Sequence, residues 1–174
     1  PLRILIFGGS LGSKAFNLLL PSIFKKINGK NKLSVIHQSG EKMFELLKES
    51  YKDADFKVET RKYIFDMEKK YNWADIVIAR SGALTVSELI TSGTASILIP
   101  YPFAVDDHQF FNAKILKDAG AAEIIREKDL EEKLVLNLAK LDRKKCENMA
   151  LKAKKLHSYD ACAAVRTVCN TLLK

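Results

Sequence analysis

Apolar strand-like runs and helix-patterned segments alternate along nearly the whole chain, and that alternation restricts the folds open to it. Leu2–Phe7, Leu33–His37, Phe56–Thr60, Asp75–Ala79, Ala95–Ile99 and Ala122–Ile125 read as strands. Between the first two, Phe16, Leu19, Leu20, Ile23 and Ile27 recur at helical spacing until Asn28-Gly29 stops the pattern. Met43, Phe44, Leu46 and Leu47 mark a second helix, and Met67–Trp73 a third. A fourth runs through Val86, Leu89 and Ile90, and a fifth from about His108 to Lys117. From Asp129 onward the chain reads helical, with breaks at Asp142-Arg143 and at Ser158-Tyr159-Asp160, where Asp160 suits an N-cap. Strands separated by helices run parallel, because right-handed crossovers lay the helices on the sheet faces. The predicted fold class is therefore α/β: a Rossmann-like parallel sheet with helices on both faces and a helical C-terminal tail, as one domain over residues 1–174.

A composition of 47% hydrophobic and 29% charged residues is that of a globular protein with a full core. No apolar run approaches the roughly 20 residues that span a bilayer. No signal peptide is visible, and the chain opens at Pro1 rather than Met, as expected of an excised or processed piece of something longer. The net charge of +8 would suit a polyanionic partner. The lysines are spread over many segments, however, and no basic run alternates with aromatics as in nucleic-acid platforms, so no nucleic-acid partner is expected. Cys146, Cys162 and Cys169 form no C-x-x-C pair, and His37, His108 and His157 do not cluster. That usage points to a reducing cytosol and to no metal site.

Ligands of such sheets collect beyond the carboxyl ends of the strands, and four loops there carry chemistry. Gly8-Gly9-Ser10-Leu11-Gly12-Ser13 lets a backbone approach a phosphate, with the Ser10 hydroxyl as a further donor; it also suits a tight strand-to-helix turn. It does not match the G-x-G-x-x-G of dinucleotide sites, and the second strand ends His37-Gln38 rather than in an acid, which argues against hydride transfer. Around Ile64, Tyr63–Met67 offers an apolar slot with free backbone groups for a base, or a staple with Asp66 as N-cap. Arg80-Ser81-Gly82-Ala83-Leu84-Thr85-Val86-Ser87-Glu88 joins a strand to a helix start, where free N–H groups and the helix dipole bind phosphate. Glu88 then suits a ribose diol, or closes a capping box with Thr85. Finally, His108 and Gln109 stand at a helix start, poised for sugar hydroxyls or simply solvated, with Asp106 or Asp107 as cap.

In order, Gly8-Gly9-Ser10-x-Gly12, His37-Gln38-Ser39-Gly40, Ile64-x-Asp66-Met67, Trp73-Ala74-Asp75, Arg80–Glu88 and Asp107-His108-Gln109-x-x-Asn112-Ala113 form a series. It resembles the C-terminal, donor-binding half of the peptidoglycan N-acetylglucosaminyltransferases that convert lipid I to lipid II. The resemblance runs from about Leu2 to the C-terminal helices, and the Arg80–Glu88 string is its most specific part.

The resemblance implies one half of a GT-B glycosyltransferase, an inverting enzyme that moves N-acetylglucosamine from UDP-N-acetylglucosamine without a metal or other cofactor. It implies that Ser10 and the Ala83-Leu84-Thr85 turn bind diphosphate, that the Ile64 backbone pairs with uracil, and that Glu88 accepts the ribose hydroxyls. His108 and Gln109 would hold the hexosamine, although many members carry Gln-Gln at His108-Gln109. The N-terminal acceptor domain, with its lipid I site, its contact with the cytoplasmic face of the membrane and the proposed base, has no counterpart here. No catalytic residue is assigned in this chain, which alone should bind donor and turn over little. The competing readings are a donor-binding subunit of a split transferase, a non-catalytic UDP-sugar module, and another UDP-sugar enzyme such as an epimerase.

Overall fold

In the computed structural model, which describes residues 1–27 and 33–157, β1 (Leu2–Phe7) lies inside a six-stranded all-parallel sheet. The others are β2 (Leu33–Gln38), β3 (Lys57–Arg61), β4 (Ile76–Ala79), β5 (Ser96–Leu98) and β6 (Ala122–Ile124), in the order β3-β2-β1-β4-β5-β6. The intervening helices are α1 (Lys14–Ile27), α2 (Phe44–Ser50), α3 (Met67–Trp73), α4 (Ala83–Ser92) and α5 (His108–Asp118), followed by α6 (Leu130–Lys140) and α7 (Arg143–Leu156).

A parallel strand covered on both faces has no polar side to present, so its sequence is a continuous apolar run. Alternation along the strands then sorts two cores. Leu2, Ile4 and Ile6 of β1, with Ile76 and Ile78 of β4, pack with Phe16, Leu20 and Ile23 of α1, Leu47 of α2 and Leu134 of α6. Leu5 and Phe7, with Val77 and Ala79, pack on the opposite face with Tyr71 of α3, Val86 and Leu89 of α4, and Leu116 of α5. α4 stops at Gly93, whose φ of 61° is the left-handed conformation that ends helices most easily at glycine. α7 starts where expected: the Asp142 carboxylate accepts the Lys145 N–H at 2.8 Å as an N-cap.

The sequence boundaries shift by one residue in places. Pairing of β3 with β2 begins at Lys57, because Phe56 turns into the first core, edge-on to Phe24 and Tyr51. β2 runs one residue further, to Gln38, which pairs with Phe7. Single 3-10 turns at Val105–Asp107 and Glu127–Asp129 precede α5 and α6. Asp75 of the Trp73-Ala74-Asp75 motif is a fastener. It accepts the Arg3 backbone N–H at 2.8 Å and the Arg3 Nη2 at 2.7 Å, tying β4 to β1. Burial would raise the Asp75 pKa, but its bonds to Arg3 and the nearby Arg143 hold it below the usual value. Cys146 packs as an apolar group, its thiol pushed up to about 12 chiefly by burial. The Asn28-Gly29 stop, the Asp160 cap, Cys162 and Cys169 lie outside the described residues.

His37 is fully buried in β2, with Nδ1 3.1 Å from the Tyr51 hydroxyl and Nε2 without a partner. Burial lowers its pKa to about 3, against an ordinary 6.5. The stability this neutral ring permits is complete above pH 6.5. As the pH falls below 6.5 the unfolded chain takes up a proton that the fold refuses, which costs about 1.4 kcal/mol per pH unit until the folded value is reached. Between pH 6.5 and 5, before most carboxylates titrate, urea midpoints should fall for the wild type and stay nearly level for His37→Asn. Parallel curves for the two proteins would clear His37 of this role.

Candidate functional site

The chain builds outward from β1 to β3, then crosses to the other side of β1 to lay down β4, β5 and β6. The carboxyl ends of β1 and β4 therefore flank the switch point, where open α/β sheets bind ligands. An open cleft of about 890 Å³ lies there, formed by the glycine loop after β1, the start of α4, and the segment between β5 and α5. Of the residues singled out from sequence, Ser10, Thr85 and Gln109 line it. Ala83 and Leu84 occupy the exposed first turn of α4, while Ile64, Glu88 and His108 also stand outside the cleft lining.

The glycine loop has two jobs, and its glycines divide them. Gly12 has φ 77°, and a Cβ there would overlap the Ser39 carbonyl; a Cβ on Gly40 would overlap that of Leu11. Two backbones thus pass at a distance that only glycine allows. At Gly9, φ 89°, an added Cβ would meet nothing, so this part of the loop stays open to a ligand. Ser13 caps α1: its Oγ accepts the Phe16 N–H at 3.5 Å and the Arg80 Nη2 at 3.0 Å.

α4 starts at Gly82, and its first helical bond is Val86 N–H to the Gly82 carbonyl. The N–H groups of Ala83, Leu84 and Thr85 therefore have no acceptor among the described residues, and no acidic side chain occupies the first turn. That positive, unsatisfied end favours an anion. Ser81 is not part of it: it is buried, and its hydroxyl donates to the Gln109 carbonyl at 2.8 Å, while Asn112 donates to the Ser81 carbonyl at 3.2 Å.

The local alternatives open at the sequence level are not realised. With Gly82 as N-cap, Thr85 falls inside the first turn and cannot close a capping box with Glu88. Glu88 instead accepts the Tyr71 hydroxyl at 2.8 Å. Asp66 makes no cap bond and faces Arg61 at 3.4 Å and Lys70 at 3.8 Å. Asp107 makes none either, and pairs with both terminal nitrogens of Arg126 at 2.6 and 2.7 Å. One expectation needs correction: the Ile64 N–H is not free. It donates to Gln38 Oε1 at 3.0 Å, while Gln38 Nε2 donates to the Gly9 carbonyl at 2.8 Å, because buried amides require partners. Beside it, Phe65 is 90% exposed and packs against Tyr63 with ring centroids 4.9 Å apart.

At the start of α5, His108 Nδ1 lies 2.8 Å from the Val105 carbonyl. A carbonyl only accepts, so the neutral ring carries its proton on Nδ1 and presents an acceptor at Nε2. Gln109 Oε1 accepts the Tyr101 N–H at 3.0 Å, which leaves its NH2 group as donor. An acceptor on His108 and a donor on Gln109 each suit a hydroxyl group, although only Gln109 lines the cleft.

Gln38, Ser13 and Arg80, which stand in the motifs above without an assigned role, and Tyr71, which stands in none, are organising residues of the site. Ser13, just before the helical repeat, is a capping signal visible in sequence. The long-range bonds of the other three leave no local trace. Among the described residues no three His, Cys, Asp or Glu side chains gather as a metal site, and no helix is long and apolar enough to cross a membrane.

A parallel sheet with a glycine loop and an uncapped helix start at its switch point defines a Rossmann-like α/β domain. Residues 3–165 match the model of the glycosyltransferase family 28 C-terminal domain. The UDP-N-acetylglucosamine--N-acetylmuramyl-(pentapeptide) pyrophosphoryl-undecaprenol N-acetylglucosamine transferase of Dechloromonas aromatica is 39% identical over 99% of this chain and 49% of its own length. The protein of the same name from Thiobacillus denitrificans is 41% identical over 100% of this chain and 48% of its own. The crystal structure of Acinetobacter baumannii MurG superposes with a TM-score of 0.83 at 41% identity, covering 89% of this chain and 45% of that one. The chain belongs to glycosyltransferase family 28, as a C-terminal domain of the GT-B fold. It spans about half the length of the curated relatives it matches.

The glycine geometry sets a graded test. Gly9→Ala should cost only the left-handed strain of about 1–2 kcal/mol. Gly12→Ala adds a backbone collision and should cost more than about 3 kcal/mol in urea denaturation. Equal losses would mean that the two loops are not interlocked.

Proposed function

We propose that this chain is the donor-binding half of an inverting glycosyltransferase that moves N-acetylglucosamine from UDP-N-acetylglucosamine to lipid I, forming lipid II for the bacterial cell wall. The observation that supports this most is the uncapped first turn of α4 facing the glycine loop across one cleft, in a chain of this family. The N–H groups of Ala83, Leu84 and Thr85, with Ser10, take the diphosphate; Glu88 takes the ribose hydroxyls; His108 and Gln109 take the hexosamine. The uracil lies by the Ile64 backbone and the exposed Phe65.

In the reaction the acceptor's C4 hydroxyl attacks the anomeric carbon as the bond to the diphosphate oxygen breaks on the opposite face. The electron pair leaves with UDP, and its growing negative charge falls on helix-start N–H groups rather than on a metal ion. The hydroxyl proton goes to a base in the acceptor-binding half, which also carries the lipid I site and the peripheral contact with the cytoplasmic membrane face. No residue of this chain is assigned that proton.

A hydrogen bond to a charged group contributes about 1.5–3 kcal/mol, so Glu88→Ala should weaken UDP binding about ten- to a hundredfold. Unchanged affinity in titration calorimetry would remove Glu88 from the nucleotide site. Gln109→Ala should weaken UDP-N-acetylglucosamine more than UDP. Equal losses for the two ligands would place the sugar elsewhere.

A further inference from the structure

Tyr71 projects from α3, one turn beyond the Ile64–Asp66 segment, and its ring is buried edge-on to Phe7 with centroids 6.1 Å apart at 82°. Phe7 is the last residue of β1, immediately before the glycine loop. The Tyr71 hydroxyl reaches α4 and donates to Glu88 Oε2 at 2.8 Å; Glu88 Oε1 has no partner among the described residues. Glu88 is otherwise exposed, and an exposed glutamate on a helix samples many rotamers, whose loss on binding costs up to about 2 kcal/mol. Burial and the neighbouring carboxylate raise the phenol pKa far above its ordinary value, so Tyr71 keeps its proton and remains the donor.

We infer that Tyr71 is a positioning residue for nucleotide recognition, holding one oxygen of Glu88 so that the other is presented to a ribose diol. This rests on the proposed role of Glu88. The bond spans three elements: a ring anchored at the end of the central strand, on the helix that follows the base segment, fixes a carboxylate on the helix whose start receives the diphosphate. The carboxylate is thereby ordered before the ligand arrives, and the entropy cost falls on folding instead of on binding.

The test is titration of the 174-residue chain with UDP and with 2′-deoxy-UDP. For the wild type, the missing hydroxyl should weaken binding about tenfold, the value of one hydrogen bond to a charged group. Tyr71→Phe leaves the ring in the core and removes only the donor. It should weaken UDP about fivefold and shrink the preference for UDP over the deoxy ligand to about twofold. A residue that merely packs would lower the melting temperature or weaken both ligands equally, and an intact preference overturns the inference. Glu88→Asp withdraws the carboxylate from Tyr71 without touching the core. It should lose the preference in the same way, and retention there also overturns the inference. In the double variant, Tyr71→Phe should add nothing to Glu88→Ala; additive losses count against it. If Glu88→Ala itself binds UDP at full strength, the nucleotide site as drawn falls first. If Glu88→Ala is weakened while Tyr71→Phe keeps both affinity and preference, only the role of Tyr71 falls.

Discussion

Arg80 leaves β4 at the switch point, and its guanidinium is the tie on which the shape of the cleft depends. Nη1 donates to the carbonyls of Ile99 and Pro100, both at 3.2 Å, and so holds the segment that follows β5. Nη2 donates to Ser13 Oγ, the cap of α1, and to Glu127 in the turn before α6. The group lies over Phe16 and Tyr101, with its central carbon 4.7 and 5.5 Å from the ring centroids. A flat cation with five donors can bridge four directions at once, which an ammonium group on a flexible stem cannot. Its side chain is only 11% exposed, so each partner also offsets the cost of desolvating the charge. Four of its five donors are committed in this way, which makes Arg80 the frame of the cleft rather than a free cation for a ligand.

With that frame in place, the candidate anion site follows from what is left unsatisfied. Neither α1 nor α4 has an acidic residue in its first turn, although carboxylates are favoured there. α1 fills part of its need with Ser13, whereas α4 starts at a glycine that has no side chain to offer. Ser81 does not compete for the same amides, because its hydroxyl is committed to the Gln109 carbonyl. That bond fixes the start of α5 relative to the start of α4. On the proposed reading, the sugar contacts and the diphosphate contacts are therefore held in a constant relation before any ligand binds.

Much of this was legible in the sequence, for identifiable reasons. Strands buried on both faces write themselves as apolar runs, so β1 is recovered to the residue and the other strands within one residue at each end; α3 also matches, whereas α2 continues three residues past Leu47. The Asp142 break was readable because a cap acts within three residues. Glycine by contrast is ambiguous. Gly9 and Gly12 look alike in sequence, and only the approach of the Ser39 carbonyl separates the open one from the packed one. Side chains that act across the fold leave no pattern at all. Gln38 reaches Ile64 across 26 positions, and Tyr71 reaches Glu88 across 17. The capping box read into Thr85–Glu88 failed because the N-cap is Gly82, three residues before Thr85, a boundary that no local motif marks.

The residues assigned to the donor do different kinds of work. On the proposed reading, the ribose keeps the same hydroxyls and the same charge from ground state to transition state. Glu88, and Tyr71 behind it, therefore bind both states alike and act on the affinity for donor. On the same reading the diphosphate gains negative charge as the glycosidic bond breaks, so the proposed contacts from the N–H groups of Ala83, Leu84 and Thr85 would be stronger in the transition state than with bound substrate. Only that difference accelerates the chemical step. The proposed division is that side chains, adjustable by single substitutions, set which nucleotide is held, while main-chain groups fixed by α4 and framed by Arg80 meet the charge that develops. A backbone donor does not reorganise when the charge appears, and here the fold has placed it with no internal acceptor to compete.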